Sequence, residues 1–501
     1  MNQLKIGAIL SYVSVIITIL IALLYTPIMI RLLGQSEYGL YSMIGSLSAY
    51  LSIMDLGLGN AIIRFTARNR VIGDKNTESN LNGMFLIIYT LIGLLTVIVG
   101  TVIFNTIDNV FGQNLTPSEI EKAKIMVIIL IINFALSFPL SIFGSIIQAY
   151  ERFVIVKVVA IIRSLSIPLV TLPFLFFNFG SITMVVVSTV INILCLLFNV
   201  YYCLKKLKVS FYFGKMDFQV LKEIIGYSFF IFLGIIVDQV NWNTGQIILG
   251  SIKGTSMVAI FAIAIQFIKL YLQFSTSLSG LFLPKISMMV ANNSSNESLT
   301  AFLVKYSRIQ YIIMAFILTG FILFGYQFIG IWAGSNYVSA YYMVLLIMIP
   351  ITIPLIQNIC LSILQAKNMQ GFRSIILILI AIFNVIISIP LSKIYGGIGT
   401  AFGTGISYLI GNALIMNIFY HRKIGLNIIL FWKNIFHISL PVFIALIIGF
   451  GINSLLQFNL FINIVLYSII YFILVWFMGL NNYEKNLVHQ LTRKFKPKYN
   501  T

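Results

Sequence analysis

Four ionisable residues lie inside long apolar runs: Asp55, Arg163, Asp238 and Lys269. A charge at the centre of a bilayer costs at least about 2.5–3.5 kcal/mol on insertion scales, so it is kept where it meets water, a partner or a substrate. Around Lys269 stand Gln266, Gln273 and Thr276, at spacings of three and four. That spacing places all four on one helical face, and lipid offers such a face nothing. Asp238, Asn241 and Gly245, with Gln246 adjacent, form a similar face one run earlier. Two readings of Asp238 and Lys269 stand side by side. They form a buried ion pair stapling two helices, or Lys269 lines a wet cavity while Asp238 tunes it or holds a coupling ion. Arg163 either snorkels to the interface or offers its guanidinium to a phosphate in bidentate fashion. Asp55, with Ser48, Ser52 and Gly59, makes a polar face near the end of the second run, or it pairs locally with Arg64 or Arg68.

Other chemistry lacks its residues. There is no P-loop, so no nucleotide hydrolysis is expected. Cys195, Cys203 and Cys360 form no CxxC, and His421, His437 and His489 form no cluster. Neither a disulfide frame nor a metal site is indicated. No cofactor is expected beyond H+ or Na+ as a coupling ion.

The elements that carry these residues follow from composition. Of 501 residues, 59% are hydrophobic and 9% charged, where a soluble domain needs about a quarter charged. In hydrocarbon every backbone N–H and C=O must be paired internally, so only helices or closed barrels can span. The apolar runs are too long for barrel strands and do not alternate, which predicts an all-α polytopic membrane protein. Fourteen spans are expected, at about 6–30, 38–62, 82–106, 124–148, 154–177, 181–204, 225–249, 256–283, 309–333, 339–365, 373–392, 397–420, 433–453 and 460–480. The first is too long for the apolar core of a signal peptide and lacks a cleavage site, so it reads as a retained membrane helix.

Charge sets the orientation. Of the 32 Lys and Arg residues, 25 fall in alternate connectors and at one end of the spans, Arg308 among them. By the positive-inside rule both termini are cytoplasmic. The net charge of +19 is thereby explained without nucleic acid. The external loop from about Asn105 to Lys122 is too short to house a catalytic domain.

The chain also repeats. Ser145-Ile-Ile-Gln148-Ala149 recurs as Ser362-Ile-Leu-Gln365-Ala366, Ser166-Ile-Pro168-Leu169 as Ser388-Ile-Pro390-Leu391, and Leu33-Gly34 as Leu249-Gly250, at offsets of 217, 222 and 216. Six spans per unit predicts a parallel repeat about an axis along the membrane normal. The expected organisation is a first lobe at 1–208, a second at 209–424, two further helices at 425–482 and a basic cytoplasmic tail at 483–501. Prolines 27, 139, 168, 173, 350, 354, 390 and 441 fall within spans, where they kink helices or fill a role common in membranes.

Three stretches carry a family resemblance. Thr26-Pro27-Ile-Met-Ile-Arg31-Leu-Leu-Gly34-Gln-Ser-Glu37-Tyr38-Gly39-Leu-Tyr41 resembles the opening of the Wzx-type polysaccharide and oligosaccharide flippases. Asp55-Leu-Gly57-Leu-Gly59-Asn60-Ala-Ile-Ile-Arg64-Phe65 resembles the end of their second helix, and Phe143-Gly144-Ser145-Ile-Ile-Gln148-Ala-Tyr150-Glu151 the end of their fourth. The wider MOP superfamily includes the multidrug (MATE) exporters and the lipid II flippases.

The resemblance implies two six-helix lobes around a cationic cavity and alternating access. It implies an undecaprenyl-pyrophosphate-linked oligosaccharide as cargo, moved from the cytoplasmic to the outer leaflet of a bacterial inner membrane. It also implies a non-enzyme that works as a monomer among membrane lipids, beside glycan polymerase machinery, with the last two helices serving the lipid tail. Lipid II flippases resemble one another in carrying basic residues within helices 1, 2 and 8. Here Lys269 fits the eighth, whereas Arg31 and Arg64 lie at helix ends. A cation-coupled exporter of drugs or metabolites is the nearest rival, favoured by Asp55 and Asp238. A membrane glycan polymerase is a further one, and it would want a larger external loop.

Overall fold

Helices satisfy the backbone in hydrocarbon without help from neighbours, and the computed structural model of this chain is built from them. It describes residues 3–214, 218–279, 282–455 and 459–495. All regular structure among the described residues is helical. The first part of the chain runs through α1 (Gln3–Leu33), α2 (Gln35–Leu51), α3 (Leu58–Ile72), α4 (Lys75–Phe111), α5 (Pro117–Ala149), α6 (Phe153–Phe176) and α7 (Ser181–Tyr201). It continues through α8 (Phe218–Lys253), α9 (Thr255–Ser279), α10 (Leu283–Ala291), α11 (Asn296–Trp332), α12 (Ala340–Ile356) and α13 (Asn358–Ala366). It ends with α14 (Gln370–Tyr408), α15 (Asn417–Arg422), α16 (Ile428–Leu455), α17 (Leu460–Leu474) and α18 (Asn482–Phe495).

Twelve helices among the described residues are long and apolar enough to cross a membrane, or thirteen if the bent pair α12–α13 is one span. The chain is a multi-pass membrane protein, and the count falls short of the fourteen expected. The shortfall has two sources. The α12–α13 pair bends by 43° at Gln357, just beyond Pro350 and Pro354. The helical run from Gln370 to Arg422 counts once, although its backbone leaves the helical region at Gly396. The second span also differs from expectation. It breaks at Ser52–Gly57 and resumes as α3, ending about ten residues later than predicted. On the opposite side only residues 112–116 separate α4 from α5, a shorter loop than the sequence implied.

By internal contacts the chain forms two compact units, Met1–Ala262 with Ser388–Thr400, and Ile263–Ile387 with Ala401–Thr501. In the first, α4 packs along α5, α5 along α7 and α1 along α6. Phe65, Phe85, Tyr89, Phe138 and Ile142 belong to a buried cluster in it. Helix α2 lies along α8. There Ser46 Oγ donates to Gln246 Oε1 at 2.8 Å and the Tyr50 and Thr244 hydroxyls meet. These bonds hold α8 to the first unit, which extends to Ala262 within α9.

In the second unit α11 is the hub, packed against α12, α16 and α17. Tyr467 and Tyr471 on α17 are buried against it. Tyr467 Oη donates to Thr319 Oγ1 at 2.5 Å and Tyr471 Oη to the Ile312 carbonyl at 2.7 Å.

Proline and glycine cooperate inside this packing. A helical proline lacks an N–H and leaves the carbonyl four residues earlier unpaired. For Pro139 that carbonyl belongs to Ala135, and a Cβ on Gly93 of α4 would lie 2.7 Å from its oxygen. For Pro350 it belongs to Leu346, and a Cβ on Gly405 would lie 2.1 Å away. Each freed carbonyl thus faces a glycine of the neighbouring helix, close enough for a Cα–H contact.

The turns repeat more faithfully than the sequence does. Left-handed residues pair as Gly34 with Gly254, Gly73 with Asn293, Glu151 with Asn368, Asn178 with Gly396 and Lys208 with Gly425, each pair 217–220 residues apart. The sequence match of Gly34 to Gly250 was out of register, for Gly250 lies inside α8 and the turn is made by Gly254.

Arg308, counted among the loop charges in the sequence, is buried. Its Nε bonds Glu484 Oε1 at 2.6 Å, and its Nη2 bonds Glu484 Oε2 at 3.0 Å and the Gly479 carbonyl at 2.8 Å. Its Nη1 reaches the Asn434 carbonyl at 3.3 Å. One guanidinium thus ties α11, α16, the end of the last span and α18. Glu484→Ala strands a buried charge, and the loss should be about 3–5 kcal/mol, read as a lowered thermal midpoint in detergent. Arg308→Met together with Glu484→Leu should recover most of it.

Candidate functional site

Each sequence-predicted site residue can be placed within its own unit. Asp55, Arg163, Asp238 and Asn241 belong to the first, and Gln266, Lys269 and Gln273 to the second.

Lys269 lies on α9, a span largely enclosed by protein. Phe267, Ile268, Tyr271 and Ser275 are its buried residues at this level. Tyr271 and Ser275 are fixed by bonds to α11, α12 and α13. Tyr271 Oη meets Thr352 Oγ1 at 2.7 Å, and Ser275 Oγ accepts from Gln310 Nε2 at 2.5 Å and Asn358 Nδ2 at 2.7 Å. The opposite side carries the polar stripe. Lys269 and Thr276 are exposed, and Gln266 and Gln273 are half-buried. Phe274 apart, the helix therefore turns most of its aliphatic and aromatic residues into protein and its ammonium group outward. A lipid-facing helix does the reverse.

Asp238 is exposed on α8, while Asn241 one turn later is buried. Neither Nδ2 nor Oδ1 of Asn241 meets a hydrogen-bond partner from the protein. Such groups are rare among native structures. Gln246 is different, since its bond to Ser46 assigns it to the α2–α8 seam.

Arg163 on α6 does not stand alone. Its Nη1 donates to Asn192 Oδ1 on α7 at 3.0 Å. Asn192 Nδ2 donates to Asn133 Oδ1 at 3.0 Å and Ser137 Oγ at 2.9 Å on α5, and Ser137 Oγ donates to Asn133 Oδ1 at 3.1 Å. The carbonyl that accepts from Arg163 is oriented by the other end of the same amide, so three helices aim one guanidinium. The remaining guanidinium donors stay available on an exposed side chain. Asn133, Ser137 and Asn192 were missed in the sequence, where only charges were weighed. Asparagine in a long apolar run was the signal that would have found them.

Asp55 takes a structural part. Leu56 and Gly57 adopt left-handed φ values of 54° and 72°, which ends the first half of the span and starts α3. The Asp55 carboxylate accepts from the backbone N–H groups of Gly57 and Gly59 and from Tyr89 Oη at 2.8 Å. It thereby caps a helix start that would otherwise expose free donors in the membrane. The alternative pairing with Arg64 or Arg68 does not occur. Arg68 bonds Glu223 at 3.1 Å, and Arg64 stacks over the Tyr227 ring at 4.6 Å.

A second polar cluster joins helix starts within the first unit. Glu37 of α2 accepts from Lys122 of α5 and from the Ser181 N–H of α7, the latter at 3.0 Å. Glu119 of α5 closes a capping box with Thr116 and accepts from Thr255 Oγ1 at the start of α9 at 2.6 Å. Between α3 and α4, Asp74 caps α4, and its hydrogen bonds with Thr77 hold the carboxyl below the usual carboxylate range.

Comparison with known proteins adds to this geometry. Residues 4–290 match the family described as polysaccharide biosynthesis protein. No curated protein sequence is similar to the chain. Among solved structures, the lipid II flippase MurJ in its inward closed conformation superposes with a TM-score of 0.75 at 18% identity, over 97% of this chain and 100% of that one. An inward-facing multidrug resistance MATE transporter of the MOP superfamily gives 0.60 at 15%, over 82% and 99%. A MOP superfamily transporter from Pyrococcus furiosus, described as having a binding pocket of reverse polarity, gives 0.56 at 16%, over 83% and 96%. The fold is that of the MOP superfamily.

Asn192→Leu removes the acceptor that holds Arg163. The expected loss is about 1–3 kcal/mol, measured as thermal stability in detergent. In a double-mutant cycle with Arg163→Leu the two effects should couple, and strict additivity would show that the contact carries no energy.

Proposed function

The chain belongs to the polysaccharide biosynthesis protein family, and from that premise we propose that it is a flippase for undecaprenyl-pyrophosphate-linked oligosaccharide. The cargo passes from the cytoplasmic to the outer leaflet by alternating access, with the basic connectors and both termini in the cytoplasm. The observation that carries this reading is the outward-facing Lys269 stripe on a span largely enclosed by protein. A diphosphate cannot enter hydrocarbon bare, and a fixed cation among amides replaces part of its hydration while the prenyl tail stays in lipid. Within the first unit Arg163, held ready by Asn192, offers donors of its own to an anion. Asp238 and the unsatisfied Asn241 amide are the natural place for a coupling ion, H+ or Na+.

The rival exporter reading loses one of its two acids, because Asp55 is committed to capping α3. A polymerase reading is disfavoured by the few residues left between α4 and α5.

The test is transport of a defined lipid-linked oligosaccharide by purified protein in vesicles, with and without proton or sodium gradients. Lys269→Ala should lower the flipping rate at least about tenfold, since one charged contact is worth about 1.5–3 kcal/mol. Lys269→Arg should retain most of it, with insertion and thermal stability unchanged in both. Full transport by Lys269→Ala would remove Lys269 from the mechanism. Loss of cationic dye export in Asp238→Asn, with no glycan transport by the wild type, would move the assignment to an exporter.

A further inference from the structure

Between α6 and α7 of the first unit lies a groove with a volume of 280 Å³. Val158, Val159 and Ile162 of α6 and Leu194, Cys195 and Phe198 of α7 line it. Val158, Ile162, Leu194 and Phe198 are exposed, so the groove is open to its surroundings. The Cys195 thiol aside, no lining side chain carries a hydrogen-bonding group.

One end of this groove is charged. Arg163 follows Ile162 and stands one turn after Val159, and Asn192 stands one turn before Cys195. The bond from Arg163 to Asn192 therefore crosses from α6 to α7 beside the groove, and the guanidinium acts electrostatically on Cys195. Asn133 and Ser137 on α5 hold Asn192 in turn. That bond uses Nη1 and leaves the Nε–Nη2 edge of an exposed side chain, an edge shaped to take a phosphate in bidentate fashion.

Resting on the flippase reading, we propose that this groove holds the head-proximal part of the cargo's prenyl chain while Arg163 binds one phosphate of its diphosphate. Charge complementarity selects this occupant. A prenyl diphosphate joins its anion directly to a single apolar chain, and here a single cation adjoins a single apolar track. A glycerophospholipid sets ester carbonyls and a second chain in between, and the lining offers those carbonyls only a weak thiol donor. At about 30 Å³ for a water-sized group, the volume takes roughly the first two isoprene units, and the rest of the chain stays in lipid. Lipid tails are as apolar as the groove, so the groove fixes position and the cation supplies most of the affinity. The first isoprenes are thereby assigned to α6 and α7, apart from the last two helices that the family resemblance implied for the tail.

The experiment is photolabelling of the full chain in phosphatidylcholine nanodiscs by undecaprenyl diphosphate carrying a diazirine in its first isoprene unit, read by mass spectrometry of peptides. Label should concentrate on residues 155–162 and 194–198. Unlabelled undecaprenyl diphosphate should compete, whereas phosphatidylglycerol and the neutral prenol should not. Arg163→Gln should lower labelling there about tenfold, and Arg163→Lys should restore part of it. Leu194→Trp, at an exposed position, should expel the label from the groove and serves if Arg163→Gln does not insert. Label spread evenly over the helices, labelling unchanged by Arg163→Gln or by Leu194→Trp, or equal competition by phosphatidylglycerol or the prenol overturns the proposal. Groove labelling in a protein that moves no lipid-linked oligosaccharide would count against the flippase reading and leave the site standing. Transport with no label in the groove would remove the site alone.

Discussion

Hydrocarbon supplies no hydrogen bonds, and every polar group placed in it must be answered by the protein, by water or by cargo. Most features of this chain follow from that demand. It forces the runs into helices and requires a carboxylate at the break before α3. It brings glycines against the carbonyls freed by Pro139 and Pro350. It also separates structural polar groups from functional ones. Asp55, Gln246 and Ser275 have their bonding completed from within, whereas the Asn241 amide does not.

That distinction reorders the residues singled out by charge. Asp55 and Lys269 look alike in the sequence, each an ionisable side chain with polar neighbours at helical spacing. In the structure Asp55 takes two backbone donors and a tyrosine, and its capacity is committed to keeping a broken span together. Lys269 instead stands opposite the packed face of its own helix. Arg163 lies between these cases, with part of its guanidinium held by Asn192 and part left over.

The fold class was legible because hydropathy and charge act over whole segments. All eight mid-span prolines lie inside helices as expected, and the hydroxyl of Ser11 bonds to the Gly7 carbonyl, as the sequence allowed. Three things were not legible, for physical reasons. Five of the left-handed turn positions are occupied by Glu151, Asn178, Lys208, Asn293 and Asn368, residue types that do not announce positive φ as glycine does. The Arg308–Glu484 pair joins residues too far apart in sequence to be read as partners, so Arg308 passed for a loop charge. The Asn133–Ser137–Asn192 relay carries no net charge, and a search for ions passes over it.

The recurrence of left-handed turns bears on ancestry. Side chains at the paired positions have diverged, glycine to asparagine or lysine to glycine, yet the chain still reverses at the same intervals. Geometry of that kind outlasts identity, because a shifted corner would misplace every helix after it. The pattern is what internal duplication of a segment leaves behind: corners that survive after the side chains around them have gone separate ways.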